Sequence, residues 1–210
     1  MVDILTPVVK AWCTDLGVEV ASLGVQVHGG MGFIEETGAA QHLRDARIAP
    51  IYEGTNGIQA NDLVGRKLGR DAGAAARAFI AEMRGLDAEL ARATGDDCAA
   101  IRRHLTAGID ALAEATDGVV GILAKDLPRA LAGAVPYLHL LGTVAGGWLL
   151  AKGALAAQRS LAERPKDARF LEAKLMTGRF FAEHALAGAP GLLPAVTGGA
   201  TVVGFDPEAL

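Results

Sequence analysis

One carboxylate in this sequence stands where a proton could be taken. In the stretch IYEGTNGIQ, Glu53 lies between Tyr52 and Gly54, just ahead of Thr55, a residue type that starts helices. A general base needs a carboxylate on a short, positioned loop at the wall of a cleft. Ile51 and Tyr52 offer an apolar wall, and desolvation by such a wall makes a carboxylate a better base. An acid near a helix start also complements the helix dipole, for about 0.3–1 kcal/mol. Spacing alone leaves both readings open. A second chemistry-bearing stretch is QVHGGMGF, Gln26 to Phe33. Paired glycines after a helix expose backbone N–H groups and leave room for a planar or phosphate-bearing ligand. The same glycines also serve as an ordinary helix C-cap and turn.

Other groups promise less. His28, His42, His104, His139 and His184 form no pair with metal-ligand spacing, so no metal site is expected. Arg44-Asp45 reads as a local ion pair, and Glu35-Glu36 as a solvated acidic pair without chemistry.

The elements that must position these residues are helical. Leu5, Val8, Val9, Trp12, Leu16 and Val20 recur at three- and four-residue steps, which predicts a helix over Ile4–Val27 with those residues on one stripe. Gly29, Gly30 and Gly32 break it. A short helix is predicted over Gly38–Arg47, ended by Pro50. Thr55 caps a further helix that reaches about Gly69. From there four longer helices are predicted, Ala72–Ala93, Asp96–Lys125, Leu127–Glu163 and Lys166–Leu186. Their breaks fall at Gly95-Asp96-Asp97 and Arg164-Pro165, and Pro136 kinks or restarts the third. The stripe of the first is Phe79, Met83, Leu86 and Leu90; that of the second is Ile101, Leu105, Ile109, Leu112 and Thr116. A helix resumes after Pro190 through Val203, and Phe205–Leu210 forms a loose tail. No stretch alternates with period two, so the expected class is all-α without sheet. A boundary near Gly69–Gly73 divides the chain into 1–69 and 70–210.

Bulk composition narrows the function. The 210 residues are 51% hydrophobic and 21% charged, enough for a globular core. A net charge of −4 gives no electrostatic case for nucleic acid. Cys13 and Cys98 do not suggest a disulfide framework, so a reducing cytoplasm is the default. No secretory signal is read in residues 1–12. The apolar run Leu138–Ala151 is shorter than the roughly 20 residues of a membrane span, so a buried core helix is expected there.

Taken together, the two stretches resemble the acyl-CoA dehydrogenase family. QVHGGMGF is similar to that family's Q-x-x-G-G-x-G-F stretch, and LRDARIAPIYEGTNGIQ to its R-D-x-(R/K)-I-x-x-I-Y-E-G-T-x-x-I-Q stretch, in the same order and at the usual separation. VPYLHLLGTVAGGWLLAKGAL and FFAEHALAGAPGL resemble the extra C-terminal helical domain of one branch. The resemblance implies a C-terminal helical-bundle domain followed by that extra bundle. It implies FAD as cofactor, an acyl-CoA substrate and oxidation to an enoyl-CoA. Glu53 would be the base, with its own backbone N–H donating to the thioester oxygen. Gln26, Gly29 and Gly30 would touch the FAD of a neighbouring subunit in a dimer or tetramer. Thr55, Asn56 and Gly57 would line the phosphate-proximal end of the cofactor. Tyr52 and Gly54 would border the acyl pocket, and an electron-transfer flavoprotein would be the usual acceptor.

The sequence departs from the family in two ways. Many relatives carry a longer polar residue where Gly57 stands, which limits it to a backbone contact. The family's N-terminal helical and middle β domains have no counterpart, so the chain resembles the C-terminal portion of a longer enzyme. An alternative is a non-catalytic helical interaction or oligomerisation module that keeps the motif by descent, with the apolar faces of Ile4–Val27 and Ile58–Leu68 seeking a partner.

Overall fold

A computed structural model describes residues 1–163, 166–206 and 208. Among the described residues the chain is all-α, with no strand. Helix α1 spans Val2–Val27 and is followed by the single turn α2, Gly30–Phe33, and a 3₁₀ turn at Glu35–Thr37. Helix α3 is Ala39–Ile48. Helix α4, Asn56–Asn61, continues without a break as a π-helix over Asp62–Leu68 and a last turn α5, Gly69–Asp71. The predicted starts and ends of these pieces hold to within a few residues; the widened π segment was not foreseen.

The buried line of α1 differs from the predicted stripe. Ile4, Pro7, Val8 and Ala11 face inward, whereas Val9 and Val20 are exposed. The reason is polar: beyond Ala11 the inward face carries Thr14 and Asp15, which meet Asn56 rather than an apolar partner. Trp12 lies against Gly142, where a Cβ would stand 2.5 Å from its ring, so only glycine allows the approach.

The π segment turns Lys67 inward, to 5% exposure. A buried ammonium is costly unless paired. Here Lys67 Nζ bonds the Asp3 carboxylate and lies 3.9 Å from Asp62. Arg70 holds the other oxygen of Asp3 at 2.6 Å, and Arg66 pairs with Asp62. Lys67 and then Arg70 hold the Asp3 carboxyl below its ordinary value; Arg66 does the same for Asp62.

After α5 the chain turns through two left-handed residues, Ala72 (φ 51°) and Gly73 (φ 80°). The Asp71 carboxylate accepts from the N–H groups of Gly73 and Ala75, both at 3.0 Å, and steadies that corner. The helix predicted over Ala72–Ala93 is two, α6 (Ala74–Arg84) and α7 (Asp87–Arg92). Gly85 has low helix propensity, and the bend there keeps Leu86 and Leu90 buried together. Helix α8, Asp96–Leu123, buries the whole predicted stripe Ile101, Leu105, Ile109, Leu112 and Thr116.

The predicted Leu127–Glu163 helix also divides, into α9 (Leu127–Ala132) and α10 (Ala134–Ala162). The break is at Gly133, where a Cβ would overlap the Val196 carbonyl. Pro136 then sits in the first turn of α10, where its missing donor is no loss. Helix α11 is Ala168–His184. The single helix predicted after Pro190 is a 3₁₀ stretch Leu186–Leu192 and two short helices, α12 (Leu193–Thr197) and α13 (Ala200–Val203). The break at Arg164-Pro165, and Pro207, Ala209 and Leu210 of the tail, lie outside the described residues.

Helices α8, α10 and α11 form the centre of the core. Tyr137 is fully buried, its hydroxyl 3.0 Å from Thr116 Oγ1, which also donates to the Leu112 carbonyl at 2.7 Å. Burial pushes the Tyr137 phenol up to about 12. Phe79 meets Trp148 edge-on at 5.6 Å. The apolar cluster runs from Ile4 through Leu68 and Phe79 to Val196, so one core is shared across the Ala72–Gly73 corner. With 29 residues, α10 is long and apolar enough to cross a membrane by length and composition, unlike the shorter run Leu138–Ala151 within it. In this fold 56% of its most apolar window is buried against other helices, as a core helix requires.

Candidate functional site

The Glu53 loop is tied at both ends. The N–H groups of Ile51 and Tyr52 both donate to the Ile48 carbonyl, at 3.0 and 3.1 Å. The Asn56 N–H donates to the Pro50 carbonyl at 3.1 Å and closes the loop. Between these ties Glu53 (φ 55°) and Gly54 (φ 81°) are both left-handed. For a glutamate this conformation costs about 1–3 kcal/mol, and such strain persists only where the surroundings impose it. Gln59 Nε2 donates to the Glu53 carbonyl at 3.3 Å, and a Cβ on Gly54 would stand 3.2 Å from that same nitrogen. Thr55 is the N-cap of α4, its side chain accepting from the Ile58 N–H at 3.3 Å, as its residue type predicts.

Asn56 is the anchor. The two N–H groups of its Nδ2 are shared among Asp15 Oδ1 at 2.7 Å, Thr14 Oγ1 at 2.9 Å and the Ala11 carbonyl at 3.0 Å. Its Oδ1 accepts from Lys10 Nζ at 2.8 Å. Asp15 Oδ2 in turn lies 3.2 Å from His139 Nε2 on α10. The Asn56 side chain thus holds the loop to α1, and its N–H closes the loop onto Pro50. Lys10, Thr14, Asp15 and His139 were missed by sequence reasoning. The available signal was the polar set Lys10, Thr14 and Asp15, grouped within about one and a half turns of the helix.

The corner at the end of α1 has its own backbone demand. Gly29 (φ 60°, ψ −145°) occupies a region open essentially to glycine alone. A Cβ on Gly29 or Gly30 would meet nothing within 4 Å, whereas one on Gly32 would overlap the Val25 carbonyl. Gly32 thus serves packing, while Gly29 and Gly30 front open space. Gln26 is exposed beside them. Arg44 pairs with Glu35 at 2.8 Å, which corrects two expectations: Arg44 does not pair with Asp45, and Glu35 is not merely solvated.

The two halves of the site do not meet within one chain. From Asp15, at the level of Asn56, to Val27 at the end of α1 is twelve positions, about 18 Å along the helix axis, with Gly29 beyond it. A concavity of about 390 Å³ lies between α1 and the loop, lined by Asp15, Val18, Arg47, Pro50, Ile51, Thr55, Asn56 and Gly57. Neither Glu53 nor the glycine corner lines it. Glu53 is exposed, and so are Ile51 and Tyr52, at 48% and 52%. The desolvating wall expected around the carboxylate is not formed by these residues alone, because their apolar faces have nothing to close against.

Comparison with known proteins defines the class. A family model described as "Acyl-CoA dehydrogenase, C-terminal domain" matches residues 2–68, and one described as "Acetyl-CoA dehydrogenase C-terminal like" matches residues 73–204. The chain belongs to the acyl-CoA dehydrogenase family. It is 50% identical over 186 residues to 3-methylmercaptopropionyl-CoA dehydrogenase of Ruegeria pomeroyi, covering 89% of this chain and 31% of that protein. It is 32% identical over 194 residues to the broad-specificity linear acyl-CoA dehydrogenase FadE5 of Mycobacterium tuberculosis, covering 88% of this chain and 31% of that one. The fold is shared with an acyl-CoA dehydrogenase of Bacillus anthracis solved in complex with FAD. There the TM-score is 0.65 at 18% identity, over 98% of this chain and 34% of that one. The chain thus spans about a third of the length of the proteins it matches.

Proposed function

We propose that this chain supplies the base and part of the cofactor cradle of an FAD-dependent acyl-CoA dehydrogenase, which converts an acyl-CoA thioester to an enoyl-CoA. The observation that carries this reading is Glu53, held left-handed on a loop tied at Ile48, Pro50 and α1. Strain fixed by that many contacts is a mark of a functional loop. Glu53 takes the proton α to the thioester carbonyl. The Glu53 N–H takes part in none of the loop's own hydrogen bonds, which leaves it for the thioester oxygen as enolate charge develops. Bound FAD would supply the acceptor for the hydride that leaves the β carbon.

The residues present fit that cofactor. Gly29 and Gly30 front open space beside the exposed Gln26, which suits contact with a flavin nucleotide held by another subunit of a dimer or tetramer. Arg47 lines one concavity with Thr55 and Gly57, a setting for an anionic phosphate. Tyr52 and Gly54 border the acyl chain, and the acyl pocket closes only when further parts of the enzyme cover the exposed Ile51 and Tyr52. An electron-transfer flavoprotein is the expected acceptor.

A second reading, a non-catalytic interaction module, is favoured by the exposed apolar residues Val20, Leu23, Val27, Met31 and Phe33 around the end of α1. One experiment separates the two. The purified chain is mixed with FAD, and the flavin spectrum is followed as an acyl-CoA is added. Bleaching that disappears in Glu53→Gln supports catalysis by this chain, whereas colourless protein limits it to the module. In a full-length enzyme carrying this segment, Glu53→Gln lowers the rate by at least about 10²-fold, the lower end for a general base. A near-normal rate there places the base elsewhere.

A further inference from the structure

We infer that His139 is a positioning residue for the Glu53 loop, acting from α10 through Asp15 and Asn56. The link is a continuous set of polar contacts across three helices, a close His139–Asp15 contact followed by an Asn56–Asp15 hydrogen bond. His139 Nε2 lies 3.2 Å from Asp15 Oδ2, and Asp15 Oδ1 accepts from Asn56 Nδ2 at 2.7 Å. Asn56 is the first residue of α4, and its N–H closes the loop onto Pro50. The two oxygens of one carboxylate therefore serve two elements, α10 on one side and α4 on the other. A carboxylate restrained at both oxygens has little rotational freedom left. It presents Asn56 with an acceptor at a fixed place, and the loop is hung from Asn56.

Packing beside this link sets its length. Trp12 is three positions before Asp15 on α1, and Gly142 three positions after His139 on α10. A Cβ at Gly142 or Gly146 would come within 2.5 or 2.9 Å of the Trp12 ring, so α1 and α10 meet closely at this level. The apolar contact fixes the helix spacing, and the polar bridge fixes the loop. The His139 and Asp15 side chains are each about one-third exposed, at 35% and 36%, so the bridge is moderate in strength and not a sealed ion pair. Its role for Glu53 as a base rests on the proposed function; the mechanical link from α10 to the loop does not.

The test reads the loop directly, in the 210-residue chain. Backbone hydrogen exchange is measured by NMR at Asn56, with amides of α8 as an internal control. In His139→Phe the Asn56 amide exchanges about twofold to fivefold faster, as expected for loss of one partly exposed polar contact, while α8 is unchanged. His139→Gln, whose amide can still donate to Asp15, restores most of the protection. Asp15→Ala loses at least as much as His139→Phe, and the double variant Asp15→Ala/His139→Phe loses no more than Asp15→Ala alone. Unchanged exchange at Asn56 in His139→Phe, or losses that add in the double variant, would overturn the link. If α8 amides show that the Phe side chain disturbs the fold, His139→Ala gives the same contrast. A chain that fails to bleach FAD leaves the exchange result standing, so the two readings fail separately.

Discussion

Two polar contacts between helices show how differently the parts of this molecule are finished. The Tyr137–Thr116 contact joins α8 and α10 inside the core, with both residues fully buried. The Asn56–Asp15–His139 contact joins α4, α1 and α10 where water still reaches. Leu112, Leu140 and Leu141, on the same two helices as the first, are buried; Asp15 and Asn56 of the second line an open concavity with Val18 and Arg47. The α8–α10 core is closed by its own chain. The N-terminal part instead leaves a strained carboxylate loop and the outer side of α1 uncovered, and its polar ties hold shape where apolar closure is missing.

Four measurements would break or sharpen that contrast. The largest effect is expected in the closed core: Leu140→Ala should destabilise the chain by about 2–5 kcal/mol, read by chemical denaturation. Next, Thr116→Val should cost about 1–3 kcal/mol, since it leaves the buried Tyr137 hydroxyl without its partner. Tyr137→Phe should cost less, about 0.5–1.5 kcal/mol, because Thr116 keeps its bond to the Leu112 carbonyl. Equal losses in these two would mean that the hydroxyl pair is not sealed. A third effect is confined to acid. Asp3 is held below its ordinary value of 3.8 by Lys67 and Arg70, so its contribution is complete above that value and lost as pH falls through the depressed one. Asp3→Asn should therefore lower stability at neutral pH and flatten the decline below about pH 4, followed as midpoint against pH. The smallest effect is expected on the open side: Leu23→Ser, on an exposed residue of α1, should change stability by no more than about 0.5 kcal/mol. A larger loss would show that this side is covered in the isolated chain.

What could be read in the sequence follows the same division. The inward stripe of α8, Ile101 to Thr116, was legible because its core face is wholly apolar apart from a threonine that bonds back to its own helix. Thr55 as a cap was legible because the reason is local. The inward side of α1 was not, since Thr14 and Asp15 face a loop that only the fold brings near. The breaks at Gly85 and Gly133 depend on neighbours: Leu86 seeking the core, and the Val196 backbone passing close by. In the site, the position of Glu53 and the openness at Gly29 and Gly30 were anticipated. The tether of Asn56 to α1 was not, because an asparagine after a cap looks the same whichever element it bonds.

The π segment carries a consequence for chain length. Its i→i+5 bonding accommodates one more residue than an α-helical path of the same rise. A relative lacking a single residue between Asp62 and Leu68 would therefore keep both flanks, the Asn56 tether and the Ala72 bend, in their present orientation. What it would forfeit is the inward-turned ammonium of Lys67, and with it the clasp on Asp3 that pins the first turn of α1.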